Sequence, residues 1–420
     1  MRLLRSAIAV LTLAFTACTN VHTPADAKGR LAAPDDLVEE LHRSVTHLAV
    51  DIGERNCYRP AKLEAAAEWI AAEFKAMGYP TRRLPVQVPA GMPYGCGART
   101  VWNVEAEKPG TDLANEIIVI GAHYDSKVAM PHWHDHGPPL PQNPGTPGAD
   151  DNASGIAGVL AVARMLKDHP LRRTIKFVAF VNEEPPFFRS DVMGSLVYAK
   201  SLVGEGSLNG ATGRKIAGMI SFEMLGYYAK AEQTKRLFGT AVTGLTSKPD
   251  YVAMLSNWTS GPFAQRCGLT FSRHASITVR VTRLPLLSKR FGWSDDWSFW
   301  QVGVPAFSVT DTAYLRNDHY HEVSDTPATL DFIKMAEVVW GLQFVVDALG
   351  GEASGARGTT SGIASKDSTF IAPVSMALSR RSRDGQVLVE SWAGSEARFG
   401  SLNGGRIFSP RVSSNSRSAS

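Results

Sequence analysis

Four apolar runs constrain the fold of this chain more than any other feature: EIIVIGA from Glu116, TIKFVAFV from Thr174, IAGMISF from Ile216 and VPAFSV from Val304. Each is short and nearly uninterrupted, the pattern of a strand buried on both faces rather than one with a side in water. Between and around them the period changes. Leu63, Ala66, Ala67, Ile70, Phe74 and Met77 share one helical face in a segment predicted from about Ala61 to Met77, which Gly78 and Pro80 stop. Ile156, Val159, Leu160, Ala163 and Leu166 make a second such face, and Met335, Val338, Val339, Leu342 and Leu349 a third. Strand, helix, strand in series predicts an α/β fold in three layers, a mixed, mostly parallel central sheet with helices on both faces. No internal repeat is visible.

The ends do not belong to that pattern. Arg2 and Arg5 precede an apolar run from Ala7 to Ala17, too short to span a bilayer and typical of an export signal over residues 1–18. FTAC, ending at Cys18, resembles a lipobox whose cysteine is lipidated, with Phe15 where Leu is more usual; plain secretion and an uncleaved anchor are the other readings. Residues 19–35 read as a linker, 36–350 as the folded domain and 351–420 as a disordered tail rich in Ser, Gly and Arg. Of the 44 Lys and Arg against 40 Asp and Glu, nine against five lie in that tail, so the domain itself is balanced. A balanced domain offers no basic face for nucleic acid. Export implies an oxidising compartment, and Cys57 and Cys96, both in polar segments, are expected to pair, leaving Cys267 buried and free.

Chemistry-bearing residues follow the apolar runs: His123 and Asp125 in HYDS, Glu183 and Glu184 in NEE, and Glu223 in SFEMLGYY. The carboxyl ends of strands are where open α/β sheets place their sites. With Asp151 in GADDNASG and His321 in HYHEVSDT, these residues stand in the order of the secreted zinc aminopeptidase family, which also contains glutamate carboxypeptidase and glutaminyl cyclase. The resemblance covers roughly residues 36 to 350. It implies two zinc ions, with Asp151 bridging, His123 and Glu223 completing one ion, and Glu184 and His321 the other. It also implies Glu183 as the general base, Asp125 as the carboxylate that orients His123, and a cis peptide after Asp151. Asp150 then reads as structural. Singly, each carboxylate would be no more than a cap or a solvated loop residue; together they match the needs of a dinuclear centre, where a shared carboxylate sets the spacing of two ions.

Two departures from that family stand out. Glu223 occupies a place where its classical aminopeptidases carry Asp, and Asp296 in WSDDWSFW a place that is often His. The loop between His123 and Asp151 carries His132, His134 and His136, for which a solvated rim is the plainer reading and a substrate clamp the sharper one. Arg316 and Asn317 in AYLRND read either as surface structure or as contacts to a substrate terminus. The leading expectation is an exported dizinc exopeptidase acting on peptides, an aminopeptidase ahead of a carboxypeptidase. A glutaminyl cyclase, which HYDSK also resembles, would use a single zinc; a metal-free binding domain is opposed by the full set of ligands and base.

Overall fold

The computed structural model describes residues 18–22, 32–92, 96–130, 138–205, 214–228, 251–284, 292, 294–351, 377–381, 387–391, 398–403 and 406–407. Three of the apolar runs become the middle of a nine-stranded sheet: β4 (Leu113–His123), β5 (Arg173–Phe180) and β6 (Lys215–Phe222), all parallel to one another. The fourth, β9 (Ala306–Thr310), extends the parallel set beside β6. Around these lie β1 (Cys18–His22), β2 (Thr81–Val88), β3 (Arg99–Lys108), β7 (Tyr251–Ser256) and β8 (Thr278–Arg283), giving the order β1-β8-β7-β9-β6-β4-β5-β3-β2. Strands β1, β2 and β3 pair antiparallel, as does β7 with β9, so the sheet is mixed.

Alternation along a single strand explains the two apolar layers. Ile118, Ile120 and Ala122 point into one cluster, whereas Ile117 and Val119 point into the other; successive side chains leave a strand on opposite faces, so a run buried on both must be apolar throughout. The larger cluster is covered by α1 (Asp35–Thr46), α2 (Pro60–Ala76), α3 (Gly155–Leu166), α5 (Gly261–His274) and α8 (Phe332–Gly350). On the opposite face α4 (Gly194–Glu205) and α6 (Asp296–Gln301) bring Tyr198, Leu202 and Phe299 onto Val178 and Phe180. Helix α3 is apolar nearly all round because it is held between the sheet and α1 and α8. No helix among the described residues is long and apolar enough to cross a membrane.

Cys57 and Cys96 form a disulfide with their Cα atoms 5.7 Å apart, and Cys267 is free and buried, as expected. Two boundaries differ from the sequence reading. Residues 19–22, assigned there to a linker, pair with β8 as an edge strand. The region assigned to a disordered tail contains four short antiparallel strands, β10 (Ala377–Arg381), β11 (Val387–Ser391), β12 (Arg398–Asn403) and β13 (Arg406–Ile407), in a unit of its own that begins at Arg357; the rest of that region lies outside the described residues. These runs mix Arg, Ser, Gly and Asn with few apolar residues and are set in a Ser-, Gly- and Arg-rich stretch, so neither a period-two pattern nor a continuous apolar run marks most of them.

Candidate metal centre

Parallel β4, β5 and β6 end along one edge of the sheet, and that geometry gathers the site. His123 is the last residue of β4, Glu223 immediately follows β6, and Glu183 and Glu184 lie just past β5. Asp151 comes from the kinked segment Ala149–Ser154 that leads into α3. His321 arrives from the loop between α7 (Ala313–Arg316) and α8. All but His321, which is partly exposed, are buried.

The local sequence of the Asp151 turn suits its shape. Gly148 has φ of 63°, and a Cβ there would run into the Asp151 carbonyl, so only glycine fits. The Asp151–Asn152 peptide is cis. Asn152 then ties three elements together: its amide Nδ2 donates to Phe222 O at 2.8 Å, and its Oδ1 accepts from Gly155 N at 2.9 Å and Met224 N at 3.1 Å. Asn182, Met224 and His321 have positive φ without being glycine, and each is, or adjoins, a residue of the cluster. Such backbone needs the surrounding structure to hold it.

Two triads result, with Asp151 common to both. His123, Asp151 and Glu223 can each offer one atom to a single ion, and so can Asp151, Glu184 and His321. His123 Nε2 stands 3.2 Å from Asp151 Oδ1, 3.5 Å from Glu223 Oε2 and 3.8 Å from Glu183 Oε2. On the other side His321 Nε2 is 3.2 Å from Asp151 Oδ2 and 3.4 Å from Glu184 Oε2. Buried His123 Nε2 and Glu184 Oε1 have no hydrogen-bond partner, a costly condition for polar atoms unless something else satisfies them. Nitrogen and carboxylate donors converging in this number are what zinc takes, so the residues fit a zinc ion at each triad.

Electrostatics point the same way. Burial first of all pushes the carboxyl groups of Glu183, Glu184 and Glu223 above their usual range. Burial alone would lower the two histidines, but the carboxylates of Glu223 and Glu183 around His123, and those of Glu184 and Asp151 around His321, lift both instead. Asp151 is held low, the two imidazoles outweighing burial.

Asp125 meets both His123 and the NEE turn. His123 Nδ1 lies 3.1 Å from the Asp125 carbonyl but 3.7 Å from its carboxylate, whose oxygens accept instead from the backbone N–H groups of Glu183 and Glu184 at 3.2 and 3.1 Å. The carboxylate therefore fixes the NEE turn while it stays within ion-pair distance of an imidazole that the Asp125 carbonyl also meets. Asp150 is buried and accepts from Gly226 N at 3.0 Å and Ser154 Oγ. Arg316 and Asn317 are not surface residues: both are buried, Arg316 over the Tyr251 ring and Asn317 with its Nδ2 3.4 Å from Asp150 Oδ2. Asp296 lines a cavity of about 10 Å³ behind Glu223 with Ser294 and Thr310. His132, His134 and His136 lie outside the described residues.

Three participants escaped sequence reasoning. Asp325 accepts from the backbone N–H groups of Asp150 and Asp151 at 2.9 and 3.1 Å, Lys127 places Nζ 2.8 Å from His321 Nδ1, and Arg55 braces the loops behind both. Asp325 and Lys127 sit inside the motifs HYHEVSDT and HYDSK, which was a usable signal; Arg55 in GERNC gave none.

Residues 103–342 match the model of peptidase family M28. The Escherichia coli (strain K12) protein YfbL is 33% identical over 305 residues, 72% of this chain and 86% of that one. The chain spans about half the length, or less, of fungal relatives it also matches. Among solved structures, a zinc aminopeptidase from Bacillus subtilis superposes with a TM-score of 0.52 at 14% identity, over 74% of this chain and 95% of that one. A glutaminyl cyclase from Fimbriiglobus ruber does so with 0.53 at 18%, over 77% and 98%. At such identities the two likenesses speak to the fold, which is that of the zinc aminopeptidases.

Proposed function

The chain belongs to peptidase family M28 and is a zinc-dependent metallopeptidase, and from that premise we propose that it is an exported dizinc exopeptidase, an aminopeptidase that removes N-terminal residues from peptides. One observation carries the reading: the two oxygens of a single buried carboxylate, Asp151, face two different histidines at 3.2 Å each. In this reading His123, Asp151 and Glu223 hold one zinc, and Asp151, Glu184 and His321 the other. Zinc at such a centre supplies a Lewis acid for the scissile carbonyl and lowers the pKa of water.

The chain's own residues do the rest. Glu183 sits beside His123 with its backbone N–H fixed by Asp125 and belongs to neither triad, so its carboxylate is free to take the proton of the attacking water and pass it to the leaving amine. Burial keeps Glu183 ready to hold that proton. Export is supported by the apolar run ahead of Cys18 and by the Cys57–Cys96 disulfide, which persists in oxidising compartments; Cys18 is the proposed site of a lipid anchor.

Elemental analysis of dialysed protein, followed by sequencing of a peptide library after incubation, tests the proposal. Two zinc ions per chain and shortening from the N-terminus are expected. Shortening from the C-terminus would make it a carboxypeptidase, one zinc with pyroglutamate formation a cyclase, and no metal would end the enzymatic reading.

A further inference from the structure

Arg55 is fully buried, and its guanidinium touches no carboxylate among its hydrogen-bond partners. Its Nε donates to Tyr124 O at 2.6 Å, one terminal nitrogen to Pro147 O at 2.5 Å, with Leu48 O and Gly53 O at 3.3 Å, and the other to Gly148 O at 2.8 Å. Its main chain is engaged too: Ser126 N donates to Arg55 O at 2.9 Å, and Arg55 N to Ser126 Oγ at 3.1 Å. Tyr124 stands between His123 and Asp125, and Gly148 opens the turn that carries Asp151. One rigid, planar cation thus grips the backbone of two loops that share no strand pairing with each other. Asp325 holds the same turn from the other side through the Asp150 and Asp151 N–H groups. Burying a cation against neutral carbonyls is costly, and here the nearby Asp325, Asp125, Asp151 and Glu184 offset that cost, keeping it charged.

We propose that Arg55 is a positioning residue for the metal centre: it sets the His123 loop and the Asp151 turn at their ligand-presenting separation before any metal arrives. A guanidinium suits this work because its donors leave in a fixed fork; a lysine ammonium is a single point on a flexible stem. The inference rests on reading His123 and Asp151 as ligands. His123→Ala tests that reading separately: unchanged zinc binding in that variant would sink the ligand assignment, whatever Arg55 does.

The test of the clamp uses Arg55→Lys and, as a control for lost stability, Lys176→Met, which strips an equally buried cation from Glu105 and Glu107 within the sheet. Both variants should melt earlier. Only Arg55→Lys should weaken zinc, by about 10- to 100-fold, the usual effect of removing support behind a ligand, and only it should alter the visible spectrum of the cobalt-substituted protein. Wild-type zinc affinity and an unchanged cobalt spectrum in a folded Arg55→Lys protein would overturn the proposal. Should that variant not fold, side-chain hydrogen exchange in the unmodified protein decides: the Arg55 Nε–H, which donates to Tyr124 O, should exchange slowly in the metal-free state already. Fast exchange that turns slow only when zinc is added would mean the metal, not Arg55, orders the loops.

Discussion

The two triads that could each hold an ion, the halves of the proposed centre, share Asp151 and little else. His123 and Glu223 sit at the very ends of neighbouring parallel strands, so their backbones are fixed by the sheet, whereas Glu184 stands beyond the end of β5 and His321 in a loop at φ 64°. Their second-nitrogen partners also differ. His123 Nδ1 meets the Asp125 carbonyl, an acceptor, which favours a proton on Nδ1 and turns Nε2 toward the carboxylates. His321 Nδ1 instead stands 2.8 Å from Lys127 Nζ, a cation whose charge opposes a further positive charge on or beside the ring. A metal at the strand-end half would meet ligands whose backbones the sheet already fixes; one at the loop half would settle beside the Lys127 cation. A symmetric pair of triads in composition is thus unequal in preparation.

The largest effect should come from the residue the halves share. Asp151→Asn should strip both zinc ions from dialysed protein and take peptidase activity below detection, because a neutral amide is a poor replacement for a carboxylate that faces two sites. Bound zinc stabilises the folded state by mass action, by about 2.7 kcal/mol at a free concentration one hundred times Kd, so the wild-type melting temperature should fall on chelation while that of the variant should not move. Retention of one firmly bound ion in Asp151→Asn would show that the halves are independent sites and not a shared centre.

Next in size is the contrast between neighbours in NEE. Glu183→Gln should keep both ions and lose turnover by at least roughly 10²-fold, the usual contribution of a positioned base. Glu184→Gln should instead release the ion of the loop half and regain part of its activity as zinc is raised. Equal metal loss in the two variants would erase the distinction between base and ligand.

A smaller effect tests the inequality itself. Zinc added to the metal-free protein should fill the sites in two steps, the strand-end half first. Removing the ammonium in Lys127→Met should bring the second step closer to the first, on the order of tenfold in affinity, as a like charge beside the second ion is removed. Two identical steps in the wild type would contradict the reading of His123 and His321 given above.

The same inequality governs what could be read from the sequence. His123, Glu183, Glu184 and Glu223 were visible because each terminates an apolar run whose burial on both faces forces it into the middle of a sheet, and strand ends are where sites form. Asp151 and His321 have no such periodicity behind them and were found only through resemblance to a family. The central strands and α2, α3 and α8 were legible for the same reason, while β1, β2, β3 and β8 carry polar or interrupted patterns, such as TRRLPVQV, that pairing at and near the sheet edges decides; β7, YVAMLS, is apolar and buried throughout and was simply not read as a strand. Arg55 was illegible because it acts on backbone C=O groups, which look alike at every position of a sequence; Asp325 acts on backbone N–H groups in the same way, and only its place inside HYHEVSDT offered a signal.

The smallest effect concerns Glu223, one methylene longer than the Asp of classical relatives. Its backbone is pinned, with Glu223 N donating to Val309 O at 2.9 Å, so the side chain alone must span the distance to the ion. Its Oε2 accepts from Ser294 Oγ at 2.6 Å, with Asn152 Nδ2 at 3.4 Å, and Ser294 is itself joined to Ser221 at 2.9 Å. The longer arm is therefore matched to a hydroxyl pair that aims it. In Glu223→Asp the carboxylate retreats from that pair, and the hydrogen bond from Ser294, about 1.5 to 3 kcal/mol for a charged acceptor at most, is lost or stretched. Competition with a chelator should show the strand-end zinc weakened by up to about tenfold, roughly 1.4 kcal/mol, while the loop-half zinc is unchanged. Ser294→Ala should weaken the same ion by a similar factor, and the double variant should show little further loss, since both changes break one interaction. If Glu223→Asp binds zinc more tightly than the wild type, or if the two losses add in full, the half-site is not built around the longer side chain, and Ser294 does not aim it.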